Sequence, residues 1–194
     1  MTIPLPPQPP RFSSVPKPRN NPGSWVVSDD YPKISMLLDE AGRSQFRATV
    51  DVSGEVSGCS ILDSSGFKRL DELTCRLVTQ RARFDPALDY QGKPIVSQYT
   101  QAVVWRISEP LQASDFGWKR PTEAKKLKQR GTVGFEVEIS SDGTITSCRI
   151  TRSSGSALLD AETCKRLEAL KSPSIALDEA GQPVARTVRS RISW

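Results

Sequence analysis

The chain of 194 residues carries a net charge of +5 and contains no histidine. That length suits one large domain or two small ones, and the missing histidine removes Ser-His-Asp and Cys-His catalysis together with the commonest metal ligand. Lysine and arginine are interspersed with acids, so a solvated surface is expected in place of a nucleic-acid interface, and the scattered carboxylates point away from an enzyme.

Residues 1–22 hold eight prolines, which exclude helix and sheet interior; residues 1–24 are expected to form an extended, polyproline-II-like spacer of about 3 Å per residue. Trp25-Val26-Val27 and Asp30-Tyr31-Pro32 follow. Pro32 biases Tyr31 towards an extended backbone, and a short helix over 33–40 ends before Gly42.

Phe46, Ala48, Val50 and Val52 alternate with polar residues, the period of a half-buried strand. A turn at Ser53-Gly54 returns the chain into a second strand over 55–62, where the apolar positions Val56, Cys59 and Ile61 switch parity. A β-bulge near Ser57-Gly58 would bring all three to one face. Ser64-Ser65-Gly66 breaks the strand and offers hydroxyls as helix caps. A helix over 68–83 carries the stripe Leu70, Leu73, Thr74, Leu77, Val78 and Ala82, with Asp71 in its first turns as a helix-dipole residue. Gly92-Lys93-Pro94 then leads to a third strand, on which Tyr99, Val103 and Trp105 face inward while Gln98 and Thr100 face water. Trp105 reads as a core or core-edge residue.

After a polar linker over 109–117 the pattern returns. Gly42–Trp105 aligns without a gap to Gly131–Trp194 at an offset of 89, with about 18 identities in 64 positions. A lead-in helix over 123–129, strands from Phe135 to Ile139 and from Ile145 to Ile150, a bulge near Thr146-Ser147, Asp160 on the helix, and Trp194 at the close of the last strand are therefore expected. The repeat divides the chain into 25–108 and 118–194.

Each copy holds two cysteines sixteen positions apart. One disulfide per copy, Cys59–Cys75 and Cys148–Cys164, is the plainest pairing, the alternative being buried free thiols. Each bond would staple the helix to the second strand of a domain whose core alone is marginal. Persistent disulfides imply the periplasm or the exterior. The chain begins without a signal peptide and its apolar runs are too short to cross a bilayer, so an export signal or membrane anchor upstream of Met1 is expected.

The order Asp30-Tyr31-Pro32, Gly42, Gly54, Ser64-Ser65-Gly66, Leu70-Asp71, Arg83-Phe84, Pro86-Ala87 and Gly92-x-Pro94 resembles the TonB C-terminal domain. The second copy keeps the middle and end of this pattern but has Arg120-Pro121 for Tyr-Pro and lacks the Arg-Phe-x-Pro-Ala segment. The resemblance implies an α+β fold of two tandem β-β-α-β domains, each a small antiparallel sheet with one helix packed on it and no cofactor. It also implies a periplasmic energy transducer. An ExbB–ExbD-type motor would supply force if an anchor lies upstream, and the TonB box of an outer-membrane receptor would add as a strand beside each domain's last strand. By position the pairing residues would be Ser97, Gln98, Tyr99, Thr100, Gln101, Ala102, Val103, Val104 and Trp105. The second copy would offer Arg186, Thr187, Val188, Arg189, Ser190, Arg191 and Ile192, with Asp30, Tyr31 and Pro32 flanking the first edge. The arginines give the second edge a positive character absent from the first, which can equally serve as protection against aggregation. A periplasmic interaction module without a motor is the second reading, and exposed edges leave a strand-paired homodimer open.

Overall fold

The computed structural model describes residues 14–107, 111–170 and 175–194. The prolines of 1–13, linker residues 108–110 and Pro173 lie outside the described residues. The first module runs α1 (Lys33–Leu37), β1 (Gly42–Val50), β2 (Val56–Asp63), α2 (Lys68–Arg81) and β3 (Ser97–Trp105). The second repeats it as α3 (Thr122–Lys126), β4 (Thr132–Ile139), β5 (Ile145–Arg152), α4 (Ala157–Glu168) and β6 (Arg186–Ser193). Each sheet is antiparallel with the first strand in the middle, ordered β2-β1-β3 and β5-β4-β6, so the last strand of each module lies at an edge.

The parity switch in β2 has the expected cause. Thr49 pairs with Gly58 while Val50 pairs with Val56, leaving Ser57 as the extra residue; Thr146 plays that part between Ser147 and Ile145. A second bulge lies at the far end of each ladder, around Leu62 and Thr151. The β1–β2 turn is closed by the Asp51 carboxylate, which accepts from the Ser53 and Glu55 amides at 2.8 and 3.1 Å. Gly54 sits there at φ +86°, and a Cβ would stand 1.9 Å from the Phe84 carbonyl oxygen, so this turn admits only glycine.

Both lead-in helices are shorter than the sequence suggests. The Ser64-Ser65 pair does not cap α2, whose N-cap Phe67 makes no side-chain capping bond. Instead the buried Asp71 carboxylate accepts from Ser64 Oγ at 2.5 Å, the Ser65 amide at 3.0 Å and Ser44 Oγ at 2.7 Å. Asp71 is thus a strut joining β1, the strand-to-helix turn and α2, because a buried carboxylate must be satisfied by donors and three lie in reach. Asp160 repeats the arrangement with Ser153 and Ser154, while Ser156 supplies the cap of α4.

Cys59 on β2 is bonded to Cys75 on α2, and Cys148 on β5 to Cys164 on α4. Both helices are thereby fixed to their sheets. Residues 14–25 pack on the first module, but the expected extended spacer gives way at Pro22–Ser24 to a 3-10 turn that the Asn21 side chain caps by accepting from the Gly23 amide. Lys17–Pro18 pairs with Phe84–Asp85, and the buried Trp25 lies on Phe84 and Tyr99 with ring centroids 5.4 and 5.8 Å away. The tryptophan supplies the reason, since an indole of that size is stabilised far more under cover than in water.

The modules share a core. Leu37 and Leu38, at the end of α1, are 0% and 1% exposed and belong to the cluster built on Phe135, Val137, Leu159, Val188 and Ile192 of the second module. Each contributes on the order of 2 kcal/mol by burial. Backbone bonds join the modules as well, from the Lys68 amide to the Ile175 carbonyl at 3.3 Å and from the Leu177 amide to the Gly66 carbonyl at 2.8 Å. Across this contact Arg186 lies over the Phe67 ring at 4.8 Å, and its guanidinium donates to the Leu38 carbonyl at 2.9 Å and to Glu40 Oε1 at 3.1 Å.

Candidate functional site

The edge strands position the candidate residues. In β6 the Trp194 amide donates to the Gly131 carbonyl at 2.9 Å, toward β4, and the Ser193 amide donates the other way, to the Leu111 carbonyl at 3.1 Å. Main-chain groups alternate along a strand, so Thr187, Arg189, Arg191 and Ser193 turn theirs outward. The same register holds in β3, where Trp105 faces Gly42; there Gln98, Thr100, Ala102 and Val104 present theirs to the outer edge.

The two edges differ in occupancy. Among the described residues no segment bonds to the outer edge of β3. The edge of β6 is engaged at its end, where Gln112 forms a parallel bridge to Ser193, and the Arg186 side chain at its start is fixed to the first module. Residues 187–191 remain between these two contacts.

Alternate side chains of β3 anchor the strand. Tyr99 packs on Phe84 with centroids 4.9 Å apart, and Trp105 packs on Tyr31 at 5.2 Å. Tyr31 donates its hydroxyl to the Glu40 carbonyl oxygen. Burial pushes the Tyr31 hydroxyl up to about 12, helped by the Glu40 and Asp39 charges, so it is a neutral donor at physiological pH. Asp30 receives both terminal nitrogens of Arg81 at 2.6 and 2.8 Å. The Arg81 guanidinium, with help from the Val27 amide, holds its carboxyl below the ordinary value against the opposing effect of burial. Pro32 directly precedes α1. Asp30-Tyr31-Pro32 is therefore a clamp that sets the 25–32 segment alongside the end of β3.

Between that segment and β3 runs an open groove of about 730 Å3, lined by Val27, Asp29, Met36, Val104, Arg106 and Leu111 among others. Val104 and Val27 are half-exposed in it, at 50% and 42%, and the Lys33–Asp115 ion pair at 3.3 Å stands at its border. Leu111 and Asp115 come from the linker, whose contribution to the groove carries no periodic signal in the sequence; the apolar Leu111 amid polar residues is the one hint. The arrangement offers main-chain donors and acceptors beside a partly apolar trough, which suits an extended peptide better than a small polar substrate. Among the described residues no group of three or more His, Cys, Asp or Glu side chains is placed to hold a metal ion, and no helix is long and apolar enough to cross a membrane.

The family model for the Gram-negative bacterial TonB protein C-terminal matches residues 28–107 and again 120–194. No curated protein matches the chain significantly, nor does any solved structure. Two matches that together cover most of the chain coincide with the two β-β-α-β modules, and the protein belongs to the TonB C-terminal family, a transport-associated periplasmic domain of Gram-negative bacteria, which it carries twice.

Proposed function

We propose that the first module binds the TonB box of an outer-membrane receptor as an added strand along β3 and transmits force to it for active transport. The observation that carries this reading is the asymmetry of the edges: among the described residues β3 is unpaired along its outer side, while β6 is engaged at its end by Gln112. An added strand would exchange main-chain bonds with Gln98, Thr100, Ala102 and Val104, each worth about 1 kcal/mol net, and the groove beside Val104 would receive alternate side chains of the ligand. The second module braces the first through the shared core, so a pull on the bound strand is resisted by both sheets and both disulfides. The chain would take its force from an ExbB–ExbD-type motor through a connection on its N-terminal side.

The test is titration with TonB-box peptides while backbone amide shifts are followed. Shifts at Gln98, Thr100, Ala102 and Val104, with Thr187 and Arg189 unmoved, are the expected result. If the β3 amides do not respond, strand addition is wrong for this chain.

A further inference from the structure

The outer face of the second sheet carries two neighbouring cross-strand rows. In one, Arg189 on β6 faces Glu136 on β4, which faces Arg149 on β5. The single Glu136 carboxylate bridges both arginines, with Arg149 Nη2 at 2.5 Å from one oxygen and Arg189 Nε at 2.5 Å from the other. In the adjacent row Arg191 faces Gly134, which faces Arg152. The flanking arginines are the same, but the central residue is a glycine and the bridging carboxylate is missing.

Neither Arg152 nor Arg191 makes an ion pair or side-chain hydrogen bond among the described residues. Both line an open trough of about 780 Å3 over Gly134, together with Thr132, Thr151 and Ser193. The Cα atoms of the two arginines stand two strand spacings apart, roughly 10 Å, as do those of Arg189 and Arg149, whose side chains meet on one carboxylate. A side chain on Gly134 would fill the trough and crowd Arg152 Cβ at 3.0 Å and Thr151 Oγ1 at 3.1 Å. The feature belongs to the second module alone: the corresponding residues of the first are Ala102, Gln45 and Asp63, and Asp63 pairs with Arg43 at 3.6 Å.

We infer that the Arg152–Gly134–Arg191 row binds a carboxylate side chain from an acidic segment of a protein partner, which takes the place that Glu136 fills in the next row. The guanidinium fork matches a carboxylate in plane and spacing. An exposed ion pair contributes little alone, so the ligand is one whose carboxylate is tethered to further contacts. The Thr132 and Ser193 hydroxyls, 2.9 Å apart at the next position along the strands, can bond its main chain. This site lies on a different module and face from the β3 edge and stands or falls separately from it.

The test is a titration of the whole chain with a capped glutamate-rich hexapeptide and with its glutamine counterpart. Saturable amide shifts at Gly134, Thr151, Arg152 and Arg191 with the glutamate peptide, absent with the glutamine one, are expected. In the R152Q/R191Q double variant, both of whose positions are exposed, the affinity should fall about fivefold or more, and raised salt should weaken the wild-type response. No shift with the glutamate peptide, an equal response to the glutamine peptide, or unchanged affinity in the double variant would overturn the inference. So would binding of inorganic phosphate or anionic phospholipid vesicles without a peptide response. The comparison of the two peptides needs no variant and stays decisive if the double variant fails to fold.

Discussion

The indole Nε1 of Trp105 donates to the buried Thr74 Oγ1 at 3.1 Å, and Thr74 Oγ1 donates in turn to the Leu70 carbonyl at 2.8 Å. Trp194, Thr163 and Leu159 repeat the relay at 2.8 and 2.8 Å. The last strand is thereby tied to the helix through one hydroxyl, at the end of the strand nearest the proposed groove. A tryptophan at this point fills the space between sheet and helix and has its single polar atom satisfied.

Replacing Thr74 with valine keeps the shape and leaves the indole N–H buried without an acceptor. Loss of about 1–3 kcal/mol is expected, read from the urea midpoint at constant m-value. Thr163→Val should cost less, because Trp194 is only partly buried while Trp105 is 3% exposed.

Removing the first disulfide by Cys59→Ala with Cys75→Ala should lower stability by about 3 kcal/mol. Urea unfolding of the wild type with and without reductant gives the combined effect of both bonds. A change near zero in the alanine pair would mean that packing alone holds α2 on β2.

Much of this architecture is legible in the chain, for local reasons. Val56, Cys59 and Ile61 announce the bulge at Ser57 because a parity switch in an apolar pattern has few other solutions. The bulge at Leu62 leaves no such mark, since Leu62 is exposed at 42% and its parity decides nothing. Ser64 and Ser65 read as caps because a hydroxyl before a helix ordinarily meets a free amide; Asp71 draws them away, a competition that composition does not reveal. Leu37 and Leu38 are recognisably apolar, but nothing local says that they enter the core of the other module. Arg186 reads as one of the positive residues of an edge strand, and its true partners Leu38 and Glu40 lie 148 and 146 positions away in sequence.

Asp30 gives the fold an acid-sensitive component. Its folded-state pKa is depressed below the ordinary 3.8 by the Arg81 bond, so the ion pair stabilises the fold above that value and its contribution is lost as pH falls through the folded pKa. Asp30→Asn should therefore be less stable than wild type at pH 7, with the difference vanishing in strong acid. Urea titrations at pH 7 and in a series below 3.8 check this. Tyr31 acts at the other extreme: with its hydroxyl raised from 10.0 to about 12, stability is full below pH 10 and declines as pH rises to 12, a loss that Tyr31→Phe should not show.

Glu40 and Arg186 test the joint between modules. Their side chains are 1% and 16% exposed, and burial pulls the Arg186 guanidinium below its ordinary value while Glu40 and Asp39 oppose that shift. Glu40→Ala leaves a buried charge without its carboxylate, at a cost of about 3–5 kcal/mol. Leu37 and Leu38 together with the Glu40–Arg186 pair join the modules, so wild type should unfold in a single transition, and the variant, lacking the pair, should separate into two when each module's tryptophans are followed. A single unshifted transition in the variant would show that the apolar contact alone couples the modules.

The outward main-chain groups of β3 make the most direct prediction for peptide binding. The Ala102 amide points away from β1 in the register fixed by Gly42 and Trp105, so it takes no part in the sheet's own ladder. Proline is tolerated on an edge strand where the missing N–H faces solvent. Ala102→Pro should therefore fold with a near-native melting temperature and bind a TonB-box peptide about tenfold more weakly, through the lost bond and the ring's obstruction of the edge. Arg189→Pro makes the equivalent change on β6, in the stretch flanked by the contacts at Arg186 and Ser193, and should leave the affinity unchanged. If Ala102→Pro bound as well as wild type, or if Arg189→Pro abolished binding, the receptor strand would not lie along β3.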